Sequence, residues 1–520
     1  MKENNKLITE FLEYGKILLY LVKQPIILLQ DFKQKIKLPF YASMSKAQKI
    51  LFSVCSLFLS IYFTFVVYIG HSRILFTGKL RTISVFITSV LLFLVIYNFI
   101  IFICYRFHDN GFQIESKKQI RGKTVIVFFL LCWLPLLCAL IICFPGLSSP
   151  DTEWQWKQIQ TFTFNDWHPV IHTLLIWLVT RIVNHHSFVV IVQISVFSIG
   201  ASYLIATLES WGFKKIWLLI SGLVIAINPY IIKSMMYLWK DITFTILLTY
   251  TAIMLINIYF SDGAWFNKIF NIISFSIVTA LASMVRHNGI FFTVPLLILA
   301  LVFYLKRTIR VLIAVLSVPL VIFLVKAPLY SALNVKYPHN TYGESVGIPM
   351  TIMGDVLIKN PNTLSPETKA FLYSIATDEQ WRSFYKTGNY NTIKFNFPFS
   401  AVIETIPVND FLKMTLHTIK NSKLVAFHAF CDVTAIVWEL DVFSNLSGYT
   451  GGLIIALLFA GIFALSRKNS TALLLVIPPL MYNLGTMLLL CGSDTRFFYF
   501  NAIITLPLVL VLLSKKECHT

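Results

Sequence analysis

Twelve apolar runs, most of them about as long as a bilayer is thick, constrain this chain more than any other feature. They lie near 49–70, 82–105, 124–145, 187–208, 214–232, 241–260, 268–285, 289–305, 309–326, 447–466, 471–490 and 497–513. About 20 apolar residues span the hydrocarbon core as a helix, because away from water each backbone amide needs a partner inside its own segment. The expected fold is an all-α polytopic membrane protein with about 12 transmembrane helices. Charged residues make up 13% of the chain; soluble domains carry about 25%, so a large soluble enzyme is excluded.

A net charge of +19 would point to nucleic acid if the cations clustered in a soluble face. Here Lys and Arg gather in short connectors: "HDNGFQIESKKQIRGK" (108–123), "WGFKK" (211–215), "KRTIR" (306–310), "SRK" (466–468) and "SKK" (514–516). Basic connectors stay cytoplasmic, so the partner expected from the charge is the lipid bilayer, with no nucleic acid. Alternation then puts both termini inside the cell. The outer set becomes 146–186, the turns at Trp239 to Asp241 and Arg286 to Asn288, the stretch 327–446, and Gly492 to Arg496. The connector 71–81 is basic yet falls outside.

Four divisions follow. Residues 1–48 read as a cytoplasmic or interfacial segment, with "ILLYLVKQPIILL" as an amphipathic helix lying on the membrane; no cleavable signal peptide is expected. Residues 49–326 form the transmembrane core, with a first outer loop at 146–186. Residues 327–446 form a mostly helical extracytoplasmic loop region, where Ser365 ahead of Glu367 marks a helix start. Residues 447–520 hold the last spans and a short cytoplasmic tail. The eight Cys show neither CxxC nor CxxH spacing, so zinc and a disulfide framework are not expected.

The polar motifs all fall on the outer set. "SSPDTEWQW" carries Asp151 and Glu153 just past the third run, where a carboxylate can take a proton from an incoming hydroxyl. "NDWHP" carries Asp166 and His168, with His172 four residues on, a helical spacing; this permits a metal pair, or a His168 that binds an anion or orients a hydroxyl. "LWKD" carries Lys240 and Asp241, "VRHNG" carries Arg286, His287 and Asn288, and "CGSDTR" carries Asp494 and Arg496. Arginine on the outer side runs against the charge bias, and Arg and His at such turns suit a phosphate. No GxGxxG or GxxxxGK loop is present, which favours a donor delivered in the bilayer over a soluble nucleotide.

The ordered set "FPGLSSPDTEWQW…NDWHPVIHTLL", "NPYIIKSMMYLWKDITF", "MVRHNGIFF" and "DTRFFYFNAIITLPL" resembles the GT-C superfamily of integral-membrane glycosyltransferases, in a poorly characterised bacterial branch. The resemblance implies a polyprenyl-phosphate-linked sugar donor; the sugar and the acceptor do not carry over, and an extracytoplasmic glycan, cell-wall polymer or teichoic acid is compatible as acceptor. It implies that Asp151 is the catalytic base or a metal ligand, with Asp241 as the second outer acid; His168 joins them as a third catalytic group on the reading of the residues themselves, orienting the reactants. Glu153, Asp166, Lys240, Arg286, His287, Asn288, Asp494 and Arg496 are then the substrate-binding set. Asp151-Thr-Glu153 departs from the DxD of some members, which leaves a divalent cation, magnesium or manganese, as an open question. "HPV" stands where some members carry "HPP". Two other readings stay open: a transporter or flippase of lipid-linked glycans, which calls for polar residues in mid-span and motifs on both faces, and a glycan polymerase or ligase.

Overall fold

The structure, a computed structural model, describes residues 44–66, 87–100, 118–337, 342–438, 450–492 and 494–514. It divides into two units, Met1–Gly111 and Phe112–Thr520. In the first unit two helices are described, α1 (Lys46–Phe65) and α2 (Ile87–Ile100). Ser45 starts α1 through a capping box: its hydroxyl accepts from the Gln48 N–H, and the Gln48 side chain accepts from the Ser45 N–H.

The second unit holds α3 (Gly122–Ile142), α4 (Pro150–Thr161), α5 (Val170–Thr180), α6 (His186–Ser210), α7 (Lys215–Ile227), α8 (Pro229–Ser234), α9 (Lys240–Phe260), α10 (Ile269–Val285), α11 (Ile290–Tyr304) and α12 (Arg310–Ala332). A run of shorter helices follows: α13 (Gly347–Lys359), α14 (Pro366–Ile375), α15 (Asp378–Phe384), α16 (Asn391–Lys394), α17 (Phe399–Glu404), α18 (Val408–Asn421) and α19 (Lys423–Trp438). The unit ends with α20 (Thr450–Ser466), α21 (Leu473–Met487) and α22 (Asn501–Leu513). Among the described residues there is no β-strand, only isolated bridges. The fold is all-α.

Eight of the described helices are long and apolar enough to cross a membrane. The other four expected runs also hold apolar helices, α2, α7, α10 and α20, each shorter than 18 residues. The long helices are apolar on both faces. In α3, Leu136 and Leu140 are buried while Ile142 is 82% exposed; in α12, Val311 and Val318 are buried while Phe323 is 66% exposed. A helix apolar all round belongs in a surrounding without water, which ties this surface pattern to a bilayer. The core of the second unit gathers around α9 and α22, with Phe244, Leu248, Leu255, Ile503 and Val511 inside.

Three sequence expectations need correcting. The segment 146–186 is no open loop, since α4 and α5 occupy most of it. Pro150 takes the first position of α4, where its missing N–H costs nothing, and Ser149 caps the helix by accepting from the Thr152 N–H. The boundary at 326/327 falls inside α12, which runs on to Ala332. The break in the run 214–232 is where the Asn228-Pro229 pair leads one to expect it: the Asn228 side chain accepts from the Tyr230 and Ile231 N–H groups and starts α8 at Pro229. The helical stretch around 410–430 breaks at Ser422, between α18 and α19. The interfacial helix expected within 1–48, the connector 71–81, most of 108–123 and the tail lie outside the described residues.

The stretch from 342 to 421 has an apolar core of its own, built from Leu372, Trp381, Tyr390, Phe399 and Phe411. Ser365 and Thr377 cap α14 and α15, the first as its spacing with Glu367 implied. The Trp381 indole N–H donates to the Leu372 carbonyl at 2.9 Å. This region is tied to the α21–α22 turn by the Tyr390 N–H donating to the Cys491 carbonyl at 2.9 Å.

Candidate active site

Helix α4 sorts its side chains by period. Asp151, Gln155 and Gln158, spaced four and three apart, share one face. The Gln155 amide donates to Thr173 Oγ1 at 3.1 Å and lies 2.9 Å from His172 Nδ1; Gln158 Oε1 accepts from the Asn165 N–H at 2.9 Å. These bonds pin α4 against α5 and aim Asp151 inward. Glu153 turns away and accepts from the Ser148 hydroxyl at 3.2 Å. The two acids of "PDTE" therefore do not share a site.

Around Asp151 the structure collects residues from four sequence segments. Arg496 Nη1 donates to Asp151 Oδ2 at 2.7 Å, and Arg496 Nε pairs with Asp494 Oδ2 at 2.7 Å. The guanidinium lies over the Trp239 ring at 5.5 Å and the Phe497 ring at 5.1 Å. Trp239 is held in turn by its indole N–H, which donates to Ser149 Oγ at 2.8 Å. Lys240 Nζ reaches His168 Nδ1 at 3.0 Å. An ammonium only donates, so Nδ1 is the acceptor and the His168 proton sits on Nε2. That nitrogen faces Asp151 Oδ1 at 4.0 Å, too far for a direct hydrogen bond.

Electrostatics sets the protonation states. Burial opposes ionising Asp151, but Arg496 and Lys240 outweigh it and hold the carboxyl below its usual value. Burial, and then the Lys240 charge, push His168 down to about 3, so it is neutral at physiological pH. The result is a carboxylate, a neutral imidazole with its N–H toward that carboxylate, and two cations.

Lys240 and Asp241 are neighbours with different duties. Asp241, in the first turn of α9, forms a buried ion pair with Arg286 at the C-terminal cap of α10. The Arg286 guanidinium is covered by the Phe497 ring at 4.7 Å and the Tyr482 ring at 5.8 Å. This pair joins α9 to α10 beneath the site, and the rings leave Arg286 little room for a ligand. Behind it, His287 to Gly289 make one turn of 3-10 helix, with Asn288 half-buried in the middle. A Cβ on Gly289 would sit 2.4 Å from the Ala282 carbonyl oxygen, so only glycine lets this turn close.

Asp166 belongs to a second, adjoining cluster. Its Oδ1 accepts from the Tyr330 hydroxyl at 2.7 Å, its Oδ2 lies 3.6 Å from Lys326 Nζ, and its backbone carbonyl lies 3.2 Å from His287 Nε2. It is a buried hub joining 166, α12 and the 287 turn. His168 and His172 do not form a metal pair on one helix face as their spacing allowed. Helix α5 begins only at Val170, and the two rings have separate partners, Lys240 and Gln155. Among the described residues no group of three or more His, Cys, Asp or Glu side chains comes together as metal ligands.

Sequence reasoning missed several members. Lys326 and Tyr330 lie at the end of an apolar run, where a lysine reads as an interfacial anchor. Glu344, in the region from 342 to 421, pairs with Lys394 at 2.6 Å and adds a carboxylate to the field at Lys240. Trp239 stood beside "KD" and could have been noticed as a platform for a cation. Compared with protein-family models, with curated proteins and with solved structures, the chain finds no match in any of the three.

Proposed function

We propose that the chain is a plasma-membrane glycosyltransferase of twelve spans. In this reading it takes a sugar from a polyprenyl-phosphate carrier and joins it to an acceptor hydroxyl on an extracytoplasmic glycan or polymer. The observation that carries the reading is the Asp151 carboxylate, kept ionised by Arg496 and set beside Lys240 and a neutral His168. The opposite ends of the helices bear the basic connectors: Arg121 pairs with Glu209, Arg307 with Asp262, and Arg467 donates to the Leu513 and Ser514 carbonyls. The positive-inside rule then puts the Asp151 end outside, where the region from 342 to 421 would cover it as a lid.

The chemistry is a single displacement. The acceptor hydroxyl lies between Asp151 Oδ1 and His168 Nε2–H, its proton goes to Asp151, and its oxygen attacks the anomeric carbon. The bond from that carbon to the phosphate oxygen breaks, its electron pair stays on the polyprenyl phosphate, and the configuration inverts. Arg496 and Lys240 stabilise the charge that develops on the leaving group. A carboxylate this acidic is a weak base, which suits a loose, oxocarbenium-like transition state in which the leaving group departs early. The Asp241–Arg286 pair positions Phe497 and, through it, Arg496.

Replacing Asp151 with Asn, and measuring sugar transfer from a polyprenyl-phosphate donor, tests this directly. A loss of roughly 100-fold or more is expected in protein that still expresses and folds, since Asp494 keeps Arg496 paired. Near-normal turnover removes Asp151 from the role of base.

A further inference from the structure

Helix α18 (Val408–Asn421) carries more apolar surface than the core beneath it uses. At 100° a residue its side chains divide into three arcs. Phe411, Met414, Thr415 and Thr418 are buried, Phe411 and Met414 in the apolar core of the region from 342 to 421. Asn409, Lys413, His417 and Lys420 are exposed and make up a polar arc. Between the two lie Val408, Leu412 and Leu416, four residues apart and exposed to 46%, 47% and 65%. Single apolar residues scattered over a surface are ordinary; a stripe of them along one arc is not.

Apolar exposure does not end with the helix. Past the break at Ser422, Leu424 is 70% exposed and Phe427 is exposed too, both in the first turns of α19. Another face of α19, with Ala426, Ala429 and Val433, packs with Leu490 and Phe498 from the segment between α21 and α22. Helix α19 therefore leads from the stripe to the wall of the helix bundle, whose own surface is apolar. Charge borders the stripe on its polar side. Residues 410–423 hold three lysines and one acid. Lys413 pairs with Asp410 at 3.0 Å, while Lys420 and Lys423 stand exposed where α18 meets α19.

An apolar stripe edged by lysines is the pattern of a helix lying in a membrane interface, where lysine stems stay with the apolar side and their ammonium groups reach the headgroups. A protein partner fits less well: a specific interface takes about 800 Å² and roughly 20–30 residues a side, and few apolar residues are on offer here. We propose that α18 lies on the bilayer surface, with Val408, Leu412 and Leu416 at the level of the headgroups and upper acyl chains. Lys420 and Lys423 then meet anionic headgroups, and the region from 342 to 421 is held to the membrane along one edge. The proposal rests on the chain lying in a bilayer and is independent of sugar transfer.

The test uses the full chain with its native cysteines replaced by serine, one chain to each nanodisc of phosphatidylcholine and phosphatidylglycerol. Nitroxide labels are placed at Leu412→Cys and Leu416→Cys on the stripe, at Lys413→Cys and Lys420→Cys on the polar arc, and at Phe323→Cys on α12. All five positions are exposed, so the fold should survive each change. Collisions with oxygen, which concentrates in lipid, are compared with collisions with a water-soluble nickel chelate. The oxygen-to-nickel ratio on the stripe should exceed that on the polar arc by about threefold or more, and should fall toward it when phosphatidylglycerol is left out. Equal ratios on the two arcs overturn the proposal if Phe323→Cys reads as lipid; if Phe323→Cys also reads as water, the bilayer reading falls with it. Stripe labels that meet water in one-chain discs and are shielded when two chains share a disc would make a second copy the occupant and overturn the proposal as well.

Discussion

The two ends of the helical bundle treat charge in opposite ways. At the Asp151 end the ion pairs link residues far apart in sequence, and their groups are mostly withdrawn from solvent: Asp151 with Arg496, Asp241 with Arg286, Asp166 with Lys326. At the other end Arg121 and Arg307 are exposed, and Arg467 is half-buried. Arg307 and Asp262 are each 46% exposed, and Arg467 caps the last carbonyls of α22, where the helix dipole favours a cation. Exposed pairs of this kind contribute little, whereas a buried charge must keep its partner or destabilise the fold. Charge at the basic end is left largely to solvent; charge at the Asp151 end is paired inside the bundle.

That contrast can be broken at several places. The largest effect is expected from Arg286→Met, which strands the buried Asp241 carboxylate and should cost about 3–5 kcal/mol of stability in denaturant unfolding. Adding Asp241→Asn should recover much of the loss, because no buried charge is then left unpaired. A single variant as stable as the parent would mean that the pair does not carry the junction of α9 and α10. A smaller effect is expected from His168. Its folded-state value is about 3 against 6.5 when free, so between these limits the unfolded chain binds a proton that the folded chain refuses. Stability from this residue is thus full above pH 6.5 and declines as the pH falls toward 3. His168→Gln should remove that slope, measured by thermal unfolding across the acid range; an identical slope in the variant would show that other groups produce it. The smallest change is expected from Arg307→Ala at the basic end, within about 1 kcal/mol in the same unfolding assay.

Much of the Asp151 site was legible because charges and Trp next to apolar runs stand out against hydrocarbon. Asp151, His168, Lys240 and Arg496 were all readable in that way, and the structure brings them together. Their partners were not. Lys240 stands beside Asp241 in sequence, yet each reaches a different residue, because at a helix start neighbouring side chains point about 100° apart. Glu153, expected to bind substrate beside Asp151, faces the opposite side of α4 for the same reason. Helix α4 itself was hidden by its polarity: Gln155 and Gln158 read as loop residues but are buried through bonds to α5 and Asn165. Lys326 and Tyr330 went unremarked because only the long-range packing of α12 beside Asp166 gives them a partner. The apolar runs predicted the helices well, and their ends less well: α12 runs past the expected end at 326 to Ala332.

The central claim is that carboxylates and cations from remote segments share one outward-facing end of the bundle. Cysteine accessibility tests it most directly, with the native cysteines replaced by serine and an impermeant maleimide applied to intact cells. Glu153→Cys and Lys336→Cys, both exposed near the Asp151 end, should label on intact cells. Lys214→Cys and Lys306→Cys, exposed at the basic end, should label only after permeabilisation. Labelling of Glu153→Cys and Lys336→Cys from different sides, or of both only after permeabilisation, would contradict the account.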